Sequence, residues 1–317
     1  VSAKKRAEVT AVVSDECQQY KGPWKEDVVK LCGEYGLRNL AAMNVVELAQ
    51  FLGKDDELER AELALAEIRR LAGLAPRPVN ILEALNMTQQ FPVLKTGVAE
   101  FDEMTPWGGL RKGLIYGFAG EFGAGKSMFA IQASVRAAME NWKVLFIETE
   151  GSLNNRLFER IAQRFGTELK ALVDRLAITQ TIDALDVKEI LKGLHRQPVD
   201  LVVIDSFVSH ALRAQFRGRE RLAARQQFLN YLLDILRRAA RVFGTVVILT
   251  DQVIDVPSFF SDKRPAGGNV VLHGVNALFM MMRPNKHKSE GYMWPIDVPG
   301  MAPDEKIRYE IKKDGLY

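Results

Sequence analysis

Gly120, Glu121, Phe122, Gly123, Ala124, Gly125, Lys126 and Ser127 fit the spacing GxxxxGK(S/T). This pattern suits phosphate. Its glycines let the backbone wrap closely around an anion, with several N–H groups pointing inward. A helix starting near Lys126 would add its positive N-terminal end. Lys126 would reach the β and γ phosphates of a nucleoside triphosphate, and the Ser127 hydroxyl would ligate Mg²⁺. The competing reading is an accidental glycine-rich turn. A working phosphate loop needs a strand before it and a helix after it. The apolar run Leu114 to Phe118 and the segment from Lys126 supply both. ATP and Mg²⁺ are therefore the expected cofactors.

Carboxylates accompany the loop. Asp205 ends the apolar run Leu201 to Ile204. A strand-end aspartate beside a phosphate loop can hold the water shell of Mg²⁺, although the same residue could simply cap a helix. Glu148 and Glu150 close the segment that begins at Phe146. A carboxylate at the end of a neighbouring strand can orient and deprotonate an attacking water. Strand alternation would put both on one face, so spacing does not choose between them.

These residues need a scaffold, and the pattern around them predicts one. Short apolar runs at Leu114 to Phe118, Val144 to Ile147, Leu201 to Ile204 and Thr245 to Leu249 read as strands. Between them lie helical stretches at Leu153 to Phe165 and across Phe228, Tyr231, Leu232, Ile235, Leu236 and Ala239. Continuous apolar strands alternating with helices imply an α/β core, a mostly parallel sheet covered on both faces. From Ala277 on, shorter antiparallel strands are expected. Residues 15–73 read as a small all-helical domain and 1–14 as a flexible terminus. Residues 74–95 read as a linker stiffened by Pro76 and Pro78, and 96–317 as the core.

The totals set wide bounds. The chain has 317 residues, 47% apolar and 26% charged, with a net charge of +3. That charge neither requires nor excludes a nucleic-acid partner. Cys17 and Cys32 have neither disulfide-framework nor zinc spacing and are expected to be reduced thiols. No apolar stretch reaches the roughly 18 residues of a membrane span, so no membrane partner is expected. The N-terminus lacks a signal-like apolar run, and the expected compartment is the cytosol.

The charges gather in two places. Arg213, Arg217, Arg219, Arg221 and Arg225 fall within thirteen residues, with Glu220 opposing them and Phe216 among them. Arginines forked toward phosphates beside an aromatic suit single-stranded DNA, although a charge run is more often a solvated face. A second loop, 253–268, carries Phe259, Phe260, Lys263 and Arg264. Paired aromatics there could stack on bases, or could be core residues beneath a lid.

The segment from Thr96 onward resembles the ATPase core of the RecA-superfamily recombinases, in particular archaeal RadA and its eukaryotic counterparts. The likeness is carried by Thr96-Gly97, Phe101-Asp102, Gly120 to Ser127, Glu148 to Gly151, Val203 to Ser206 and Gly218 to Gln227. Gln252-Val253, Phe259-Phe260, Gly267 to Asn269 and Asp297 to Pro299 extend it. Cys32-Gly33, Tyr35-Gly36, Leu40, Glu47-Leu48 and Leu52-Gly53 resemble the family's helix-hairpin-helix domain. The resemblance implies a RecA-like phosphate-loop core and a DNA-dependent ATPase that forms a filament, or a ring, on single-stranded DNA and pairs it with duplex DNA. It implies Glu150 rather than Glu148 as the water-activating base, and Gln252 as the sensor of the γ-phosphate. It also implies Asp297 and Pro299 as a cap over a neighbouring protomer's ATP.

Departures from the family pattern support a second hypothesis. Ile81 and Ala84 match the family's FxxA oligomerisation segment, with Ile81 in the aromatic position. Asn154-Asn155-Arg156-Leu157 stands where an adenine-contacting arginine is usual, and Asp251 and Val256 replace an asparagine and a basic residue. A RadA paralogue that binds ATP and DNA and assists another recombinase subunit fits these changes. A hexameric motor of the same superfamily is a third hypothesis. The N-terminal domain and the Asp297 to Pro299 cap argue against it.

Overall fold

A computed structural model describes residues 15–256, 262–285 and 287–317. The expected flexible terminus, 1–14, lies outside them. The chain divides into two compact units, Val1–Ile81 and Leu82–Tyr317.

The first unit is helical, with α1 (Asp15–Gln18), α2 (Lys25–Tyr35), α3 (Leu37–Ala41), α4 (Val45–Leu52) and α5 (Leu58–Leu71). One helix start has a clear local cause. At α4, Asn44 accepts from Glu47 N while Glu47 reaches back to Asn44 N, a capping box that contributes about 1 kcal/mol. Gly53 then ends α4 at φ 66°, a left-handed position where a Cβ would be strained. Leu40, Leu48, Ala64, Leu65 and Ile68 fill the core of this unit. Cys17 and Cys32 also lie there, joined as a disulfide with Cα atoms 5.8 Å apart. This corrects the expectation of two reduced thiols. Packing of α1 on α2 brings the sulfurs together, a tertiary fact that a spacing of 15 residues does not reveal. Disulfides persist in oxidising compartments and in hyperthermophile cells, so the pair does not by itself place the chain in the cell.

The second unit opens with α6 (Ile81–Gln89), a helix with no buried residue, where a linker was expected. A two-stranded antiparallel sheet of β1 (Val93–Leu94) and β2 (Leu110–Arg111) flanks α7 (Ala99–Met104). The main sheet then forms. Its elements are β3 (Ile115–Gly120), α8 (Lys126–Met139), β4 (Val144–Glu148), α9 (Asn155–Arg164), β5 (Leu176–Gln180), α10 (Ala184–Lys192) and β6 (Leu201–Asp205). After them come α11 (His210–Gln215), α12 (Leu222–Phe243), β7 (Val246–Val256), β8 (Asp262–Pro265), α13 (Gly268–Gly274), β9 (Ala277–Met282), β10 (Glu290–Asp297), β11 (Ile307–Lys312) and β12 (Gly315–Leu316).

The strand order is β12-β11-β10-β9-β3-β7-β6-β4-β5, with β8 paired to β7. Strands β9, β3, β7, β6, β4 and β5 run parallel to one another, while β8 pairs antiparallel with the end of β7. The antiparallel part begins only at the β9–β10 pairing, one strand later than expected. Burial on both faces explains the unbroken apolar runs. Leu201 and Val203 of β6 enter one core with Phe118, Phe129 and Phe146, while Val202 and Ile204 enter the other with Leu232, Leu233 and Leu236 of α12. Strand β5 and helix α10 fall in a stretch where the sequence pattern predicts no element. Among the described residues, no helix is long and apolar enough to cross a membrane.

Candidate active site

Parallel strands carry their carboxyl ends to one edge of the sheet, and ligands in such folds bind outside that edge. Register fixes which residues meet there. Gly120 of β3 pairs with Gln252 of β7, and Glu148 of β4 pairs with Asp205 of β6. Between β3 and α8 lies the glycine loop. Gly123 and Gly125 sit at φ 79° and 101°, conformations that L side chains rarely adopt. A Cβ on Gly120 would overlap the carbonyl of Met281, so the loop can leave the sheet there only from a glycine. Helix α8 starts at Lys126 and aims its free N–H groups into the loop.

Lys126 is 9% exposed, and its Nζ donates to the carbonyls of Gly120 at 2.8 Å and Glu121 at 2.9 Å. Burial pulls its pKa down, opposed by the charges of Asp205 and Asp251. The cavity over the loop holds about 660 Å³. Gly123, Gly125, Lys126, Ser127, Glu148, Glu150, Asp205 and Gln252 all line it, which brings eight predicted site residues together. Phe122 lines it too and is 93% exposed. Asp297 and Pro299 are exposed near the end of β10 and do not line this cavity.

Asp205 accepts from the Thr250 hydroxyl and is hydrogen-bonded to Ser127. Burial raises its pKa, against the lowering effect of those two hydrogen bonds and of Lys126. One hydroxyl and one carboxylate at the foot of the loop fit Mg²⁺, which takes most of its ligands from phosphate and water. Among the described residues, no cluster of three or more His, Cys, Asp or Glu could hold a metal ion.

The two glutamates differ sharply. Glu148 is 2% exposed, and its Oε1 accepts from the backbone N–H of Glu150 at 3.0 Å and of Ser152 at 2.9 Å. Its Oε2 takes the Gln180 amide at 3.4 Å. Glu150 lies past the end of β4, so strand alternation does not govern it. Its Oε1 accepts from Ser206 Oγ at 2.9 Å, and its Oε2 lies 3.5 Å from His210 Nε2. Asp251 is fully buried, with its oxygens accepting from the N–H of Gln252 and of Gly267, each at 2.8 Å. Burial pushes its carboxyl up to about 7, against those two hydrogen bonds and the charges of Lys126 and Arg213. It ties the far end of the second loop to β7, away from the cavity lining.

The arginines spread over α11, the turn after it and the start of α12. Arg217 and Arg221 are exposed, while Arg213 and Arg225 are half-buried, each with a buried Nε that has no hydrogen-bond partner among the described residues. Arg213 donates to Gln252 Oε1 at 3.4 Å. Phe259 and Phe260 lie outside the described residues, as do the side chains of Arg219 and Lys263. Arg264 is exposed on β8. Ile81 is 71% exposed on α6, and Ala84 is half-buried.

The sequence model of the Rad51 family matches residues 88–317. The chain belongs to that family. Among its relatives, the DNA repair and recombination protein RadA of Ignicoccus hospitalis is 33% identical over 71% of this chain and 72% of its own length. The protein of the same name from Aeropyrum pernix is 28% identical over 90% of this chain and 91% of its own. The meiotic recombination protein DMC1 homolog B of rice is 31% identical over 70% and 67%. In this Rad51-family chain, the sequence reading missed Thr250, His210 and the apolar lining residues Leu157 and Ile311. A lone histidine five residues after a strand-end aspartate was the available signal for His210.

Proposed function

We propose that this protein is an ATP-dependent DNA recombinase. It assembles on single-stranded DNA, pairs it with a homologous duplex and exchanges strands in recombinational repair. One observation carries the reading. Gln252 lines the phosphate cavity and accepts from Arg213, so one contact joins the nucleotide pocket to the arginine loop. The family membership and the names of the relatives support it.

In this reading Lys126 leaves its two loop carbonyls for the β and γ phosphates. Ser127 and Asp205 hold Mg²⁺, whose charge offsets that of the phosphates. Ser206 donates to Glu150 and fixes its carboxylate. Glu150 takes a proton from water as the water oxygen bonds to the γ-phosphorus and the bond to the β-phosphate oxygen breaks, leaving ADP and phosphate. Leu153, Leu157 and Ile311 line the cavity and offer the base apolar contact where an arginine is usual in the family. Asp297 and Pro299 cap the nucleotide of a neighbouring protomer, which explains their distance from their own cavity. Gln252 reports the γ-phosphate to Arg213, and the second loop follows.

A narrower reading is favoured by Ile81. An exposed aliphatic residue in place of an aromatic anchor weakens self-association, as an accessory paralogue of a main recombinase would require. Strand exchange with ATP, assayed beside electron microscopy of the protein on single-stranded DNA, decides between them. Filaments with exchange are expected. DNA-stimulated ATP hydrolysis without filaments or exchange would instead establish the accessory role.

A further inference from the structure

Past Asp205 the chain turns into α11, and Ser209 caps that helix by accepting from Leu212 N at 3.2 Å. The cap fixes the start of α11 and so the position of His210. Most of this side chain is exposed, yet it meets two groups of interest. Its Nε2 lies 3.5 Å from Glu150 Oε2. Arg213 Nη2 lies 3.2 Å from its Nδ1 and 3.5 Å from its Nε2. The same Nη2 donates to Gln252 Oε1. A ring that accepts from Arg213 at Nδ1 carries its proton on Nε2, facing Glu150. An unbroken polar path therefore runs from Arg213, the first arginine of the loop, through the imidazole to the carboxylate.

Every link in this path is long, between 3.2 and 3.5 Å. A guanidinium bound to an amide and an imidazole has not met its best partner. A phosphate offers shorter, charge-assisted bonds, and the buried Nε of Arg213 has no hydrogen-bond partner among the described residues. DNA reaching Arg213 would draw it away from the ring. Glu150 has two oxygens. Ser206 donates to one and the His210 ring stands 3.5 Å from the other, so the ring competes with water for Oε2 while it stays in place.

We propose that His210 is a positioning residue that relays DNA occupancy of Arg213 to Glu150. With Arg213 on the ring, the imidazole occupies Oε2. With Arg213 on a DNA phosphate, the ring is released and Oε2 is open to the water. The inference rests on the proposed function, because it assumes that Glu150 is the base and that Arg213 meets DNA.

The test compares wild type, His210→Ala and His210→Gln. Glutamine can both accept from Arg213 and donate to Glu150. ATP hydrolysis is measured with and without oligo-dT. His210→Ala should raise the DNA-free kcat about 5-fold with KM within 2-fold, bringing the stimulation ratio close to 1. His210→Gln should restore at least half of the wild-type ratio. Nucleotide-free anisotropy with labelled oligo-dT gives a second readout. His210→Ala should bind 2- to 5-fold more tightly, roughly, since Arg213 has one partner fewer to leave. A stimulation ratio within 2-fold of wild type in His210→Ala, an equal loss of rate with and without DNA, or unchanged oligonucleotide affinity overturns the relay. A wild type whose hydrolysis DNA does not stimulate overturns the proposed function and the relay with it.

Discussion

Lys126 and Arg217 are both cations expected to meet phosphate, and they are built in opposite ways. Lys126 starts a long helix, is buried, and has both its present partners within 2.9 Å. Its carboxylate neighbour Asp205 ends a strand buried along its whole length. Arg217 stands exposed in a turn beside Gly218, whose φ of 101° belongs to a loop conformation. Chemistry on a γ-phosphate needs atoms placed to within about 0.5 Å, which strand ends and a helix start can supply. A polymer presenting a phosphate at every step is met by charge, and loops serve for that. The two regions touch at Arg213 and Gln252, where the rigid one can sense the loose one.

The contrast breaks first at Lys126. Lys126→Ala should weaken ATP binding by about 10³-fold, since it removes a buried charge aimed at the phosphates. Affinity within 3-fold of wild type, by titration calorimetry, would mean that the loop does not hold phosphate. Glu150→Gln should leave ATP affinity within about 3-fold and slow hydrolysis at least 10²-fold. Glu148→Gln should act differently. Its Oε1 already accepts from two backbone N–H groups and its Oε2 from the Gln180 amide, so a glutamine that keeps its oxygen at the first position turns an NH₂ toward the Gln180 donor, and stability falls by about 1 kcal/mol. If Glu148→Gln loses turnover at unchanged stability while Glu150→Gln does not, the two roles are reversed.

Asp251 tests whether the rigid region anchors the loose one. Its folded pKa, about 7, lies above the ordinary 3.8 because it is buried. The folded state therefore holds a proton between about pH 4 and 7 that the unfolded chain releases, and this contribution to stability is lost as pH rises through that window. In urea unfolding, wild type should lose on the order of 4 kcal/mol more stability than Asp251→Asn as pH rises from about 4 to 7. A difference that stays flat with pH would show that the carboxyl is not held this way.

What could be read in the sequence follows the same divide. The phosphate loop, Asp205 and the buried strands announce themselves because close-packed parallel strands require unbroken apolar runs. Strand β5 does not, because it is an edge strand whose side chains are half-buried or exposed. The difference between Glu148 and Glu150 depends on where β4 stops, which leaves Glu148 in the strand among backbone donors and Glu150 beyond it. The partnership of Cys17 and Cys32 depends on helix packing. His210 offers only a weak signal because its meaning lies in what it touches, Glu150 just past the end of β4 and Arg213 one turn along the same short helix.

The smallest effect is expected where the structure is loosest. Arg217 and Arg221 are exposed, and the Arg221 guanidinium donates to the carbonyl of Gln215 at 3.2 Å. Neither holds the fold together. Arg217→Ala combined with Arg221→Ala should leave thermal stability and ATP affinity unchanged. Single-stranded DNA affinity at low salt should fall about tenfold, and the slope of log K against log salt should become shallower by about 1.4. The slope matters more than the affinity. A drop in affinity at constant slope would mean that the variant disturbs the loop without removing phosphate contacts. If ATP affinity falls as much as DNA affinity, the two regions are one site, and the division between a rigid chemical end and an open DNA-facing loop fails.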